Sequence, residues 1–174
     1  MASVPWFGAQ RVERLVAFAV VNDGSFEAAE AQLAKFDMNG ELAPYGLRLR
    51  AALSAHSKRF GEARALLARA LVARNGPEDA GERRHDQLFL CELLLAEERC
   101  EEALNGLDEL AKAYPSGPPA SWLHARGLAL AGLGRTSDAI EALKDSVECC
   151  LRENEGDDAA HVRLESCPLF QPKR

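Results

Sequence analysis

The 174-residue chain is 47% hydrophobic and 28% charged, which is enough apolar material for one compact core or for four to five stacked units of about 34 residues. Its 21 Lys and Arg against 27 Asp and Glu leave a net charge of -6, a balance that argues against nonspecific nucleic-acid binding through many cation–phosphate contacts. The longest apolar run is the seven residues Leu15 to Val21, far below the ~20 that span a bilayer, and MASVPWFGAQRVERL lacks the basic lead and apolar stretch of a secretory signal. No membrane association and a cytoplasmic location are therefore expected.

Met1 to Gly8 reads as an irregular lead-in. Ala9 to Val21 follows as a helix with Val12, Leu15, Val16, Ala19 and Val20 on one face. Asn22-Asp23-Gly24-Ser25 is a turn, and Phe26 to Phe36 is the second helix, with Phe26, Ala29, Leu33 and Phe36 inward. Pro44 suits the first position of a third helix that runs to about Ser57. Lys58-Arg59-Phe60-Gly61 then turns into a helix carrying Ala63, Leu66, Leu67, Ala70 and Leu71. Asn75 to Arg84 is polar, holds two Gly and a Pro, and reads as a loop between repeats. His85 to Glu97 and Cys100 to Tyr114 form the next pair, closed by Pro115-Ser116-Gly117-Pro118-Pro119.

Ser121 to Cys150 reads as a complete helical hairpin around a Gly-Arg-Thr-Ser turn, with Thr136 or Ser137 as cap and Ala139, Leu143, Val147 and Cys150 as the buried stripe. The acidic run RENEGDD after Leu151 is solvated. Asp157 or Asp158 can then cap a short helix from Ala159 to Cys167, with Ala160, Leu164 and Cys167 apolar and Pro168 as its stop; the alternative is a flexible tail.

The same pairing of a small residue with a leucine four later recurs at Ala29/Leu33, Ala63/Leu67, Ala103/Leu107 and Ala139/Leu143, at intervals of 34, 40 and 36. The surplus over 34 falls in the loops already named. A 34-residue helix-turn-helix period with Ala-x3-large in its second helix resembles the tetratricopeptide repeat (TPR) over roughly residues 10 to 152. On that pattern the small position of the first helix is Ala17, Ala51, Cys91 and Gly127. Departures are Arg50 and Arg126 at a normally apolar position, Ser54 at a large one, and Glu13 and Gln87 where Trp is common. The resemblance implies an all-α fold, a right-handed α-solenoid of about four antiparallel hairpins in residues 9–152, with repeats at about 10–40, 44–75, 84–116 and 120–152. Residues 157–174 then form a capping helix or tail.

No Gly-rich phosphate loop, Gly-x-Ser-x-Gly, His-Glu-x-x-His or Cys-x-x-Cys occurs, so no enzyme activity, metal or cofactor is expected. The five cysteines, Cys91, Cys100, Cys149, Cys150 and Cys167, sit mostly in helical apolar patterns and read as reduced, buried thiols. The alternative is a thiol- or metal-dependent regulator or enzyme built on Cys149 and Cys150 with His124 or His161. The favoured reading is a protein-interaction scaffold, adaptor or chaperone, since the size, acidity and repeats also resemble small bacterial TPR chaperones that hold secretion substrates. What the resemblance implies about the site is a concave groove lined by the first helix of each hairpin. Carried over, the lining is Arg11, Arg14, Phe18 and Asn22, then Tyr45, Arg48 and His56, then His85, Leu88 and Glu92, then His124 and Leu128. Three arginines and three histidines against one glutamate lead to the expectation of a protein or peptide partner bearing carboxylates.

Overall fold

In this computed structural model the described residues are 44–154 together with Ala29, Ala31 and Leu33, and six helices account for most of them. They are α1 (Pro44–His56), α2 (Phe60–Ala73), α3 (Ala80–Ala96), α4 (Cys100–Ala111), α5 (Ala120–Gly132) and α6 (Thr136–Asn154), with a short 3-10 turn at Pro77–Asp79. No strand occurs among the described residues, and the fold is all-α. The expected helices Ala9–Val21 and Phe26–Phe36 lie outside the described residues except at three positions: Ala29, Ala31 and Leu33 are helical, with Ala29 and Leu33 buried and Ala31 exposed. The expected helix Ala159–Cys167 also lies outside them. The chain divides into two units, Met1–Glu97 and Glu98–Arg174.

In the first unit, α1 and α2 pack as a hairpin because α2 repeats small and apolar residues at helical spacing. Ala63, Leu66, Leu67 and Ala70 form the stripe, and Leu47 and Ala51 of α1 and Leu93 of α3 complete a core flanked by Phe60, Phe89 and Leu90. Ala51, Ala63 and Ala70 have no exposed surface, so nothing longer than a methyl separates the two backbones where they cross. The turn between them is set by Lys58 in the left-handed conformation, φ 58. That residue lets the Arg59 amide donate to Ser54 O and the Lys58 amide to Ala55 O, so the last carbonyls of α1 keep their partners.

The second unit repeats this turn. Gly134 has φ 74, the Arg135 amide donates to Leu130 O, and the Gly134 amide to Ala131 O. Glu98, φ 61, stands at the corresponding place ahead of α4. Each of these three left-handed residues is followed by an arginine that pairs with an acid three residues on: Arg59 with Glu62 at 3.3 Å, Arg99 with Glu102 at 2.6 Å and Arg135 with Asp138 at 2.6 Å. The acids sit in the first turn of α2, α4 and α6, where the helix dipole also favours them. This differs from the expected capping of α6 by Thr136 or Ser137. Thr136 is the first helical residue, and its hydroxyl donates back to Gly134 O.

Within that unit α5 and α6 approach so closely that a Cβ on Gly127 would lie 2.7 Å from Leu143 Cγ and 3.4 Å from Ala139 O. Ser146, buried on α6, donates to Ala120 O at 2.8 Å. α6 runs on to Asn154, so part of the expected solvated run RENEGDD is helical. α3 also differs from expectation, starting at Ala80 and not at His85, so half of the expected loop is helix. Pro77 and Asp79, whose Oδ2 accepts from the Gly76 amide at 3.3 Å, lead into it, and Glu82 and Asp86 one turn apart then face Arg48 and Arg74.

The turn gives a paired prediction. Lys58→Gly should stabilise the chain by about 1 kcal/mol, and Gly134→Ala should destabilise it by about 1–2 kcal/mol, because only glycine holds positive φ without a Cβ clash. Denaturant unfolding of both variants checks this, and effects of the same sign would contradict the turn geometry.

Candidate functional site

Of the twelve residues expected to line a binding face, Arg11, Arg14, Phe18 and Asn22 lie outside the described residues. Six others belong to the first unit. Tyr45, Arg48 and His56 are on α1, and His85, Leu88 and Glu92 are on α3. His56, His85 and Glu92 are exposed, Tyr45 and Arg48 are half-buried, and Leu88 is buried. Desolvation by the protein beside it raises the carboxyl of Glu92 above the ordinary value even though its side chain is exposed. His124 and Leu128, on α5 in the second unit, are both half-buried. Burial pushes the His124 imidazole below its usual 6.5, so it is neutral at pH 7 and brings no positive charge.

Arg48 is not a free cation. One guanidinium nitrogen lies 2.6 Å from Glu82 Oε2, another 3.5 Å from Asp86 Oδ1, and the group stacks 5.2 Å from the centre of the Tyr45 ring. Arg74, which ends α2 and is buried, donates from Nε to Asp86 Oδ2 at 2.9 Å, with Glu82 at 3.7 Å and Asp79 at 4.0 Å. Asp86 itself is fully buried. Burial drives its carboxyl above the ordinary 3.8, and the two arginines pull it part of the way back. Two arginines and three carboxylates thus tie α1, α2 and α3 together. The sequence signal was Asp86 inside an apolar helical pattern, but its partners lie 12 and 38 residues away.

The counterpart of Asp86 in the second unit is Trp122. Asp86 stands five residues before Cys91 and Trp122 five before Gly127, and both are buried. Trp122 Nε1 donates to Leu107 O of α4 at 2.9 Å, Arg126 lies 5.8 Å from its ring centre, and Arg126 also meets Asp108 of α4 at 3.8 Å. One position of the first helix therefore anchors it to the hairpin before, by an ion pair in one unit and by an indole in the other.

A feature missed by the sequence reading is a cavity of about 410 Å³ on the α1–α2 hairpin, lined by Arg50, Arg59, Glu62, Ala65, Leu66 and Arg69. Its one hint was Arg50 at a normally apolar position. Cys91 is buried, and desolvation together with Glu92 raises its thiol to about 11, which leaves it protonated and poorly nucleophilic. Among the described residues no three His, Cys, Asp or Glu side chains converge as a metal site, and no helix is long and apolar enough to cross a membrane.

The network predicts both a magnitude and a pH response. Asp86→Ala should lower the unfolding free energy by about 3–5 kcal/mol, since it strands the buried guanidinium of Arg74 and takes a partner from half-buried Arg48. Exposed Arg69→Ala should stay within about 0.5 kcal/mol. An acid whose folded pKa lies above its unfolded one binds its proton more tightly when folded, so its contribution is fully present below the ordinary value near 3.8 and is lost as pH rises through the raised folded value. Asp86→Asn should remove that decline. Denaturant unfolding of wild type and variant from pH 4 upward checks it, and a stability difference that does not vary with pH would contradict it.

No protein-family model matches the chain, and no curated protein sequence matches it. Among solved structures, MamA 41-end from Desulfovibrio magneticus RS-1 is similar with a TM-score of 0.58 and 19% identity, over 90% of this chain and 81% of that one. The MamA RS-1 ArsTM double mutant is similar with a TM-score of 0.57 and 18% identity, over 91% of each chain. MamA is a TPR-like all-helical protein, and the chain has a helical-repeat fold of the TPR type.

Proposed function

We infer that the chain is a non-enzymatic member of the TPR proteins that works as a protein-interaction scaffold, taking a peptide or protein partner on the face made by α1 and α3, the first helices of two of its hairpins. The observation that carries this reading is the division of labour on α1 and α3. Leu47, Ala51, Cys91 and Leu93 are buried, while Tyr45, His56, His85 and Glu92 of the same helices remain at least partly accessible. A helix held from behind by its neighbours can present such side chains without local adjustment, which lowers the ordering cost of binding. The TPR-type fold supports the same reading, because repeat arrays of this kind offer extended binding surfaces.

The partner chemistry follows from what the arginines do. Arg48 is engaged by Glu82 and Asp86, so the acidic partner expected from the sequence meets mainly His56 and His85 on this face, with Tyr45 as an aromatic contact and Glu92 as a counter-charge. A mixed polar peptide fits that set better than a strongly acidic one. A holding role on a secretion substrate, in the cytoplasm, is one form that such a scaffold takes.

The test is affinity capture from the native lysate with wild type, with Tyr45→Ala/His85→Glu/Glu92→Lys and with the exposed α6 variant Glu141→Lys. Loss of a partner with the triple variant but not with Glu141→Lys is the expected result. Retention of every partner by the triple variant would contradict the face assignment.

A further inference from the structure

The cavity on the α1–α2 hairpin is separate from the face proposed above, since its lining of Arg50, Arg59, Glu62, Ala65, Leu66 and Arg69 shares no residue with Tyr45, His56, His85 or Glu92. Three arginines against one glutamate give that lining a net charge of +2, on a chain whose net charge is -6. Glu62 answers only one of the three, because its Oε2 lies 3.3 Å from Arg59 Nε. Arg50 is half-buried on α1, and no ion pair or hydrogen bond engages exposed Arg69 among the described residues. Ala65 and Leu66 contribute only apolar surface. The volume of about 410 Å³ falls within the ~300–1,000 Å³ of small-molecule sites.

The repeat register shows that this charge is particular to one hairpin. In the next repeat the same six positions are Leu90, Arg99, Glu102, Asn105, Gly106 and Glu109, one cation against two acids. In the one after they are Arg126, Arg135, Asp138, Glu141, Ala142 and Asp145, two cations against three acids. Both sets carry -1. The pair Arg59–Glu62 recurs as Arg99–Glu102 and Arg135–Asp138, so it belongs to the shared turn. What sets this hairpin apart is Arg69 where the others have Glu109 and Asp145, and the small Ala65 where they have Asn105 and Glu141. The packing of a hairpin does not require either choice. Together they open a space beside α2 and face it with positive charge.

We propose that this cavity binds a phosphate monoester, its phosphoryl group held by Arg50, Arg59 and Arg69 and its organic part lying on Ala65 and Leu66. A phosphoryl group carries about -1.5 to -2 charges at pH 7 and three strong acceptor oxygens, which matches a lining of +2 with three guanidinium groups. A single carboxylate would leave one of those charges unanswered. Guanidinium forks also suit the geometry of phosphate oxygens, which they meet with paired hydrogen bonds. The site does not rest on the scaffold reading above, because it needs only the α1–α2 hairpin.

Isothermal titration of the full chain with O-phosphoserine, inorganic phosphate and serine tests this. Phosphoserine should bind, serine should not, and added salt should weaken the binding. Arg69→Glu and Arg50→Leu install the residues that the next repeat carries as Glu109 and Leu90, so the hairpin should still fold. Each should weaken phosphoserine by about tenfold or more. Arg83→Glu makes the same charge change at an exposed position of α3 outside the cavity and should alter the affinity by less than about twofold. Glu62→Gln should strengthen binding, a gain that a disrupted hairpin would not give. Weaker binding of inorganic phosphate than of phosphoserine assigns the site to an ester, and equal binding assigns it to the free ion; the phosphoryl chemistry holds in both cases. No binding of either at about 1 mM would overturn the proposal. So would equal losses in Arg69→Glu and Arg83→Glu, or serine binding as tightly as phosphoserine.

Discussion

The structure depends on a steric constraint: where α1 crosses α2 and where α5 crosses α6, neither helix can carry more than a methyl. Twelve residues separate the two small positions each time, Ala51 from Ala63 and Gly127 from Ala139. The spacing stays constant because the turn between them is constant, one residue in left-handed conformation and then an arginine held by the acid three residues on. Close approach puts Leu67 of α2 into a fully buried site. Gly127 marks the extreme, since even a Cβ there would run into Leu143.

Between hairpins the tie is set less by shape and more by chemistry. The same register position carries Asp86 in one unit and Trp122 in the other, and the two solve the docking problem in opposite ways. The indole buries a large apolar surface and satisfies its one donor on Leu107 O. The carboxylate needs two arginines, gives little net stability after desolvation, and makes removal of any member costly. That arrangement has a functional consequence, because it takes Arg48 away from any ligand and couples the integrity of α1 and α3 to one buried acid.

Much of this was legible in the chain because the constraints that fix the hairpins are local. Small residues four before a leucine, a Gly-Arg or Lys-Arg turn and a proline at Pro44 each have a short-range physical meaning, and the observed helices α1, α2, α4 and α5 follow them closely. What was not legible depends on distant partners. The early start of α3 inside NGPEDAGERR has local signals in Pro77 and in Asp79, whose carboxylate accepts from the Gly76 amide, whereas nothing local announces that Glu82 and Asp86 meet Arg48 and Arg74. The candidate site shows the same limit. Helical spacing correctly puts Tyr45, Arg48 and His56 on one helix, but spacing says which face a residue is on and not whether its charge is already satisfied.

The central claim is that the small residues at the helix crossings, and not general hydrophobicity, set the register of the array. Ala63→Leu and Ala65→Leu add the same side chain two residues apart on α2, the first where no surface is exposed and the second at an exposed position. Chemical denaturation of the two variants tests the claim directly. Ala63→Leu should cost about 1–3 kcal/mol or more from overpacking, and Ala65→Leu should remain within about 0.5 kcal/mol of wild type. Equal stabilities of the two would contradict the account.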